Sequence, residues 1–211
     1  MGATRYEEIL AAAIDLFYRK GYAETSLQDI AAASGLTKAS LYHYINSKED
    51  LLFSIVEMVH FRMGTWRERT DPAGIPDLQI ATIIASHIVG TTSQAPEVRM
   101  FYTEYQHLTS PRFEPILNER KLYAHAVRDV IARGREQGMF AQDLDVRIVG
   151  VSFLAMLNSM YSWFDSNREW KAHDLWDTYS TLILRGLGVP KRRALKLVAD
   201  VERLGYFTDA D

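Results

Sequence analysis

Between Ser34 and Lys48 the chain carries Thr37, Lys38, Ser40, Tyr42 and His43, and no aspartate or glutamate interrupts them. Ammonium, hydroxyl and imidazole groups gathered this way donate hydrogen bonds to anionic oxygen, and the sugar–phosphate backbone of DNA is the extended anion they suit. Ala39 and Ser40 are small, so the surface that bears them can enter a major groove, where Lys38 and His43 are the candidates for base edges. Thr37, Ser40, Tyr42 and Lys48 are the candidates for phosphate contacts, joined by Thr25 and Ser26 at the head of the preceding segment. Lys48 follows Ser47 at a helix start, where free backbone N–H groups also favour an anion. Catalytic chemistry is not indicated. There is no Gly-rich phosphate loop, no nucleophile elbow and no His/Asp/Glu set at metal-ligand spacing. The six histidines His43, His60, His87, His107, His125 and His173 are scattered. The expectation is a binding protein with no resident cofactor and no metal, not an enzyme.

The elements that must position these groups can be read from periodicity and punctuation. Thr25 or Ser26 followed by Gln28 or Asp29 is a capping pair, and Leu27, Ile30 and Ala31 recur at helical spacing. Gly35 stands where a helix end needs a residue tolerant of positive φ. Thr37 then caps a short helix whose inward residues are Leu41 and Ile45. A supporting helix, a tight turn and a second helix with polar groups outward make a helix-turn-helix. Residues 5–20 form an amphipathic roof over it through Ile9, Ala12, Ala13, Leu16 and Phe17, and Gly21 ends that helix. Arg5 at its start is a weaker phosphate candidate.

Residues 4–52 resemble the DNA-binding domain of TetR-family transcriptional regulators. The resemblance rests on Ile9-Leu10-Ala11-Ala12-Ala13, Leu16-Phe17, Gly21-Tyr22, Thr25-Ser26, Asp29-Ile30-Ala31 and Ser34-Gly35-Leu36. It continues through Leu41-Tyr42-His43-Tyr44 and Ser47-Lys48-Glu49-Asp50-Leu51-Leu52. Two positions depart from the usual pattern: Ile45 replaces an aromatic, and Asn46 replaces Pro, Gly or Asp. The resemblance implies a dimeric repressor that leaves double-stranded operator DNA when a small molecule binds its second domain.

Composition constrains how such a protein would hold DNA. The 211 residues include 24 Lys and Arg against 27 Asp and Glu, a formal charge of -3. The first 50 residues hold five basic side chains against seven acidic ones. Bulk attraction to a polyanion is therefore absent, and affinity must come from local arrangement. The absence of cysteine excludes disulfides and thiol redox chemistry and suits a reducing compartment. No signal-peptide pattern and no apolar run of membrane-spanning length is seen, so a cytoplasmic location and no membrane partner are expected.

Ser47 starts a helix that the periodicity extends to about Thr70, and Asp71-Pro72-Ala73-Gly74-Ile75-Pro76 breaks it. Helical periods follow at 77–94, 97–108, 111–137, 143–165, 173–187 and 190–204. Ala95-Pro96, Ser110-Pro111, Gly138 and the polar run Asp165-Ser166-Asn167-Arg168 separate them. No alternating strand pattern occurs. The fold class is all-α: a helix-turn-helix domain over residues 1–46 and a ligand-binding and dimerisation domain over 47–211, sharing the connecting helix 47–70.

Residues 148–164 are apolar nearly all round, and residues 175–187 are similar. That predicts a homodimer built on these two helices and their symmetry mates. Its two reading helices would engage an inverted repeat with half-sites ~34 Å apart. Phe101, Tyr102, Tyr105, Phe113, Tyr123, Met156, Met160 and Trp163, with Trp66 on the connecting helix, are candidates to line an apolar effector cavity. Plain core filling is the competing reading for each. A narrower resemblance, from Pro111-Arg112-Phe113 to Leu187 with Gly138-Met139-Phe140 and Asp143-Leu144-Asp145, is to regulators that sense acyl-CoA thioesters. There Trp163 falls near the CoA, but Ser162 stands where an Arg is expected. Arg99, Arg120, Lys121 or Arg128 would have to replace it. A ligand-independent DNA-binding or interaction module, or an enzyme with a vestigial helix-turn-helix, are the alternatives. The basic residues Lys191, Arg192, Arg193 and Lys196 are expected on a solvated terminal helix.

Overall fold

The first helix, α1 (Arg5–Lys20), begins where Thr4 and Glu7 cap each other's backbone, and it stops at Gly21, whose φ of 86° a Cβ would oppose. The computed structural model describes residues 4–64, 74–164 and 170–207. Ser26 and Asp29 form the capping box of α2 (Leu27–Ala33), and Thr37 caps α3 (Lys38–Leu41). Ser47 and Asp50 exchange backbone-to-side-chain bonds at the head of α4 (Lys48–Gly64). There follow α5 (Pro76–Ser93), α6 (Ala95–Glu104), a 3-10 turn (Tyr105–His107) and α7 (Ser110–Glu136). The chain ends with α8 (Val146–Asn158), α9 (Met160–Trp163), α10 (Ala172–Gly186) and α11 (Lys191–Glu202). All described elements are helical, as the sequence periods require. The predicted Trp66, the helix beyond residue 64, residues 71–73 of the breaker and the run 165–168 lie outside the described residues.

Contacts divide the chain into two compact units, residues 1–61 with 96–117, and residues 62–95 with 118–211. Helices α4 and α7 each contribute residues to both. The first unit has a core of Ile9, Ala13, Phe17, Ile30, Ala31, Leu41, Ile45, Leu51, Ile55 and Met100. Leu41 and Ile45 thus anchor the short helix α3 and the turn after it, although α3 is only 4 residues long and would not persist alone.

The second unit is built around α5, buried on nearly every side from Ile80 to Ile88, against α8, α10 and α11. At its head Asp77, 4% exposed, receives two bonds from Arg193, Nε to Oδ2 at 2.7 Å and Nη2 to Oδ1 at 2.9 Å. Lys191, Arg192 and Lys196 are exposed as expected of a solvated terminal helix, but Arg193 is corrected: it neutralises a buried carboxylate, beside the side of α11 on which Ala194, Leu197 and Val201 are buried. Among the described residues no helix is long and apolar enough to cross a membrane.

Candidate nucleic-acid interface

The short helix α3 presents its polar residues as expected, but not all the nominated groups are available. Lys38, Tyr42 and His43 are exposed, and no hydrogen bond or ion pair is formed by their side chains among the described residues. Thr37 Oγ1 accepts the Ser40 N–H at 3.1 Å, and the two hydroxyls lie 2.9 Å apart. They fix the entry of the helix, and each keeps at least one hydrogen-bonding site for a group outside. Ser26 is exposed, with its hydroxyl donating to Asp29 Oδ2 at 2.9 Å. Tyr44, not nominated from sequence, is 44% exposed beside Tyr42 and enlarges the aromatic part of the face.

Two nominated residues are spent internally. Thr25 is buried, and its hydroxyl donates to Gly21 O at 2.8 Å, closing the loop between α1 and α2. Lys48 Nζ donates to Tyr22 O at 2.7 Å, Thr25 O at 2.8 Å and Ala23 O at 3.3 Å, and sits 4.3 Å from the centre of the Tyr22 ring. All three ammonium hydrogens are engaged, and burial pulls the group below its ordinary pKa against a smaller opposing effect from Glu24. Both side chains are occupied by backbone carbonyls of the loop between α1 and α2 and its neighbours. Arg5, similarly, donates through Nη2 to Ser34 O at 2.8 Å and braces the carbonyl end of α2. Lys48→Met is therefore expected to lower unfolding stability by about 2 kcal/mol, because the loop carbonyls lose a charged donor. It should leave the salt dependence of DNA binding unchanged. A loss of roughly one unit of salt slope per site, with stability intact, would instead make Lys48 a phosphate ligand.

The turn after α3 is braced by the head of α4. Asp50 accepts from Arg112 Nη2 at 2.6 Å, from Asn46 N at 2.8 Å and from Ser47 N at 3.0 Å. Partial burial alone would raise the Asp50 pKa, but Arg112, the two backbone N–H groups and the Ser47 hydroxyl outweigh it and hold it at about 2. Its contribution is present above the ordinary carboxylate range and fades as pH falls toward 2. Glu49 Oε1 accepts both the backbone N–H and the hydroxyl of Thr109 at 2.8 Å, and Tyr22 stacks on His107 at 5.3 Å. The start of α7 is thereby clamped to the first turn of α4.

The effector candidates fall into two groups. In the first unit Phe101 meets Tyr102 edge to face and stacks on Tyr105, which stacks in turn on Phe113 at 5.6 Å with the rings nearly parallel. In the second unit Met160 is fully buried, Tyr123 and Met156 pack against the core, and Trp163 stacks on Tyr179 at 6.4 Å. A polar node escaped the sequence reading. His87 on α5 is buried, and its Nδ1 lies 3.1 Å from the Tyr123 hydroxyl and 3.3 Å from Ile83 O. Burial drives its pKa down to about 4 against the weaker pull of Ile83 O and the Asn158 side chain, so the ring is neutral at pH 7. The available signal was a single histidine inside the apolar run Ile80–Ile88, but its partners lie on other helices.

Comparison with known proteins agrees with this arrangement. Residues 9–55 match the family model described as bacterial regulatory proteins, tetR family. Residues 74–187, more than half of the chain, match the tetracyclin repressor-like C-terminal domain. The HTH-type transcriptional repressor KstR2 of Mycobacterium tuberculosis is 25% identical over 186 residues, 87% of this chain and 93% of that protein. Among solved structures, the TetR family transcriptional regulator PfmR from Thermus thermophilus is similar with a TM-score of 0.77 and 32% identity, covering 85% of this chain and 98% of PfmR. AibR, crystallised in complex with isovaleryl coenzyme A and operator DNA, is similar with a TM-score of 0.75 and 28% identity, covering 85% of this chain and 97% of AibR.

Proposed function

The chain belongs to the TetR family of transcriptional regulators, and from that premise we propose a homodimeric repressor released from an inverted-repeat operator by an acyl-CoA-like ligand. The exposed, acid-free face of α3 carries this reading. Lys38 and His43 are assigned to base edges. Thr37, Ser40 and Tyr42 are assigned to phosphates, with Ser26 at the head of α2 and Tyr44 at the rim. Thr25 and Lys48 hold the loop that sets the angle of that face. DNA reading is placed in residues 1–46, and ligand binding and dimerisation in 47–211.

Dimerisation is supported by what α8 and α10 leave uncovered. Ile148, Val151, Ser152 and Ala155 lie along the solvent side of α8, with Ile148 and Val151 about two-thirds exposed. Leu182 of α10 is 57% exposed. An apolar strip of this kind on two helices is suited to self-association about a two-fold axis. The same axis would present two copies of α3 to successive grooves of one duplex face.

Release requires that the ligand favour a conformer whose reading helices no longer fit both half-sites. Tight binding without that preference shifts nothing, and a change from 1:99 to 99:1 needs about 5.5 kcal/mol of differential affinity. A similarity to AibR, seen with isovaleryl coenzyme A, supports a thioester effector. Genomic footprinting with the purified protein would supply the operator, and fluorescence anisotropy on that duplex tests the effector. Addition of isovaleryl-CoA or a longer acyl-CoA is expected to weaken operator binding by at least about tenfold. Unchanged affinity across all chain lengths would overturn the effector class while leaving the DNA-binding reading in place.

A further inference from the structure

At the surface of the second unit, where the end of α11 meets the start of α10, three groups gather that the operator and effector readings leave unused. They are His173 and Asp177 on α10 and Glu202 on α11. His173 and Asp177 stand four residues apart and so share one helix face. Glu202 lies 29 positions beyond His173, and only the packing of α11 on α10 brings it to the same place. Spacing along the chain therefore did not mark the set. One ligand atom from each residue lies within 4.8 Å of the others. His173 Nδ1 is 3.5 Å from Asp177 Oδ2, and its Nε2 is 3.3 Å from Glu202 Oε1.

Two observations set this cluster apart from ordinary surface charge. Neither carboxylate forms an ion pair with a lysine or arginine among the described residues, and each meets only the His173 ring. The acids beside them are engaged elsewhere: Asp174 accepts the Lys171 N–H at 2.8 Å, and Asp200 accepts from Arg203 at 2.9 Å. Two like charges about one ring repel each other, and a divalent cation offsets that repulsion more fully than any single side chain. The ring is also seated. Phe207 meets it edge to face at 6.2 Å and lies 5.4 Å from the fully buried Trp176.

One imidazole nitrogen with two carboxylate oxygens suits Zn²⁺, Co²⁺ or Ni²⁺, whereas Mg²⁺ and Ca²⁺ take shells of oxygen alone. Zinc bonds of about 2.0–2.2 Å put the ligand atoms of a tetrahedron roughly 3.3 Å apart, so the set has to contract by about an ångström. The side chains of His173 and Asp177 are 53% and 59% exposed, which leaves their rotamers free to make that adjustment. We propose that His173, Asp177 and Glu202 form a three-ligand site for a divalent cation of the zinc class, with solvent completing its shell. The bound cation pins the last turn of α11 to the first turn of α10. The site stands independently of the effector and operator readings.

The test is isothermal titration of zinc chloride into the untagged full-length protein, freed of metal beforehand, with thermal melts in parallel. Wild type is expected to take up one zinc per chain at micromolar concentration and to melt at a higher temperature with it. His173→Ala and Glu202→Gln should each weaken that uptake at least tenfold and remove the thermal shift, with unchanged helix content by circular dichroism. All three side chains are at the surface, so these changes spare the core. Wild type that takes up no zinc below millimolar concentration would overturn the site and leave the ring as a plain bridge between two carboxylates. Zinc uptake that either variant leaves unchanged would overturn it as well, placing the cation on other histidines. Magnesium bound as tightly as zinc by wild type would remove the ring from the ligand set. The wild-type titrations decide the matter even where a variant folds poorly.

Discussion

Lys38→Ala combined with Tyr42→Ala lowers operator affinity by roughly 10^2- to 10^3-fold and leaves the protein folded and dimeric. Both side chains are exposed and make no internal hydrogen bond or ion pair among the described residues, so their removal takes nothing from the core. A two-fold dimer loses each contact twice, and about 1 kcal/mol apiece over four side chains gives about 3–4 kcal/mol. Two lost lysine–phosphate contacts would also flatten the slope of log affinity against log salt by about 2, whereas base-edge contacts would relax sequence preference instead. Anisotropy titrations between 50 and 200 mM salt, with thermal melts run in parallel, separate these outcomes. An affinity within threefold of wild type would mean that the acid-free face does not meet DNA. The composition makes this a sharp test, because a chain of net charge -3 has no diffuse basic surface to compensate.

What could be read without coordinates is what short-range chemistry determines. The Thr25 or Ser26 cap with Gln28 or Asp29, the Thr37 cap, and the glycines at 21, 35 and 138 are local devices; the structure places the glycines and Thr37 at helix ends and selects Ser26 with Asp29 for the first cap. Residue types show which side chains could meet a phosphate, but not which are already engaged. Lys48 reads as a free cation until the fold brings it to carbonyls more than twenty residues away, at Tyr22, Ala23 and Thr25. Arg193 reads as a solvated base until Asp77 is found beneath it, 116 positions earlier. His87 shows the same limit in a core, since Tyr123 and Asn158 lie 36 and 71 positions further on. Periodicity marked the aromatic stretch as a candidate cavity lining, and Phe101, Tyr102, Tyr105 and Phe113 make ring contacts with one another within the first unit. Spacing along a helix says that rings share a face; it does not say whether they face a cavity or each other.

Replacing Val151 and Leu182 together by aspartate is expected to produce monomers in sedimentation at micromolar concentration and to remove operator binding. Val151 is 66% exposed and Leu182 57%, so the monomer's own core loses little when they are changed, and helix content should be unaltered. In the dimer each aspartate would have to leave water for an apolar interface, and four such charges around one axis would also repel one another. The DNA-reading face is untouched, so each half-site contact survives; what disappears is the linkage between them. Losing simultaneous engagement costs the avidity of the second half-site, on the order of 10^2- to 10^4-fold, a larger loss than stripping any single contact from α3. The contrast between the two double variants then locates the origin of affinity. The α3 variant remains a dimer and loses contacts, whereas the interface variant keeps contacts and loses their geometry. If the aspartate variant still sediments as a dimer, the uncovered strips of α8 and α10 are not where two copies meet, and the half-site spacing must be set by another surface.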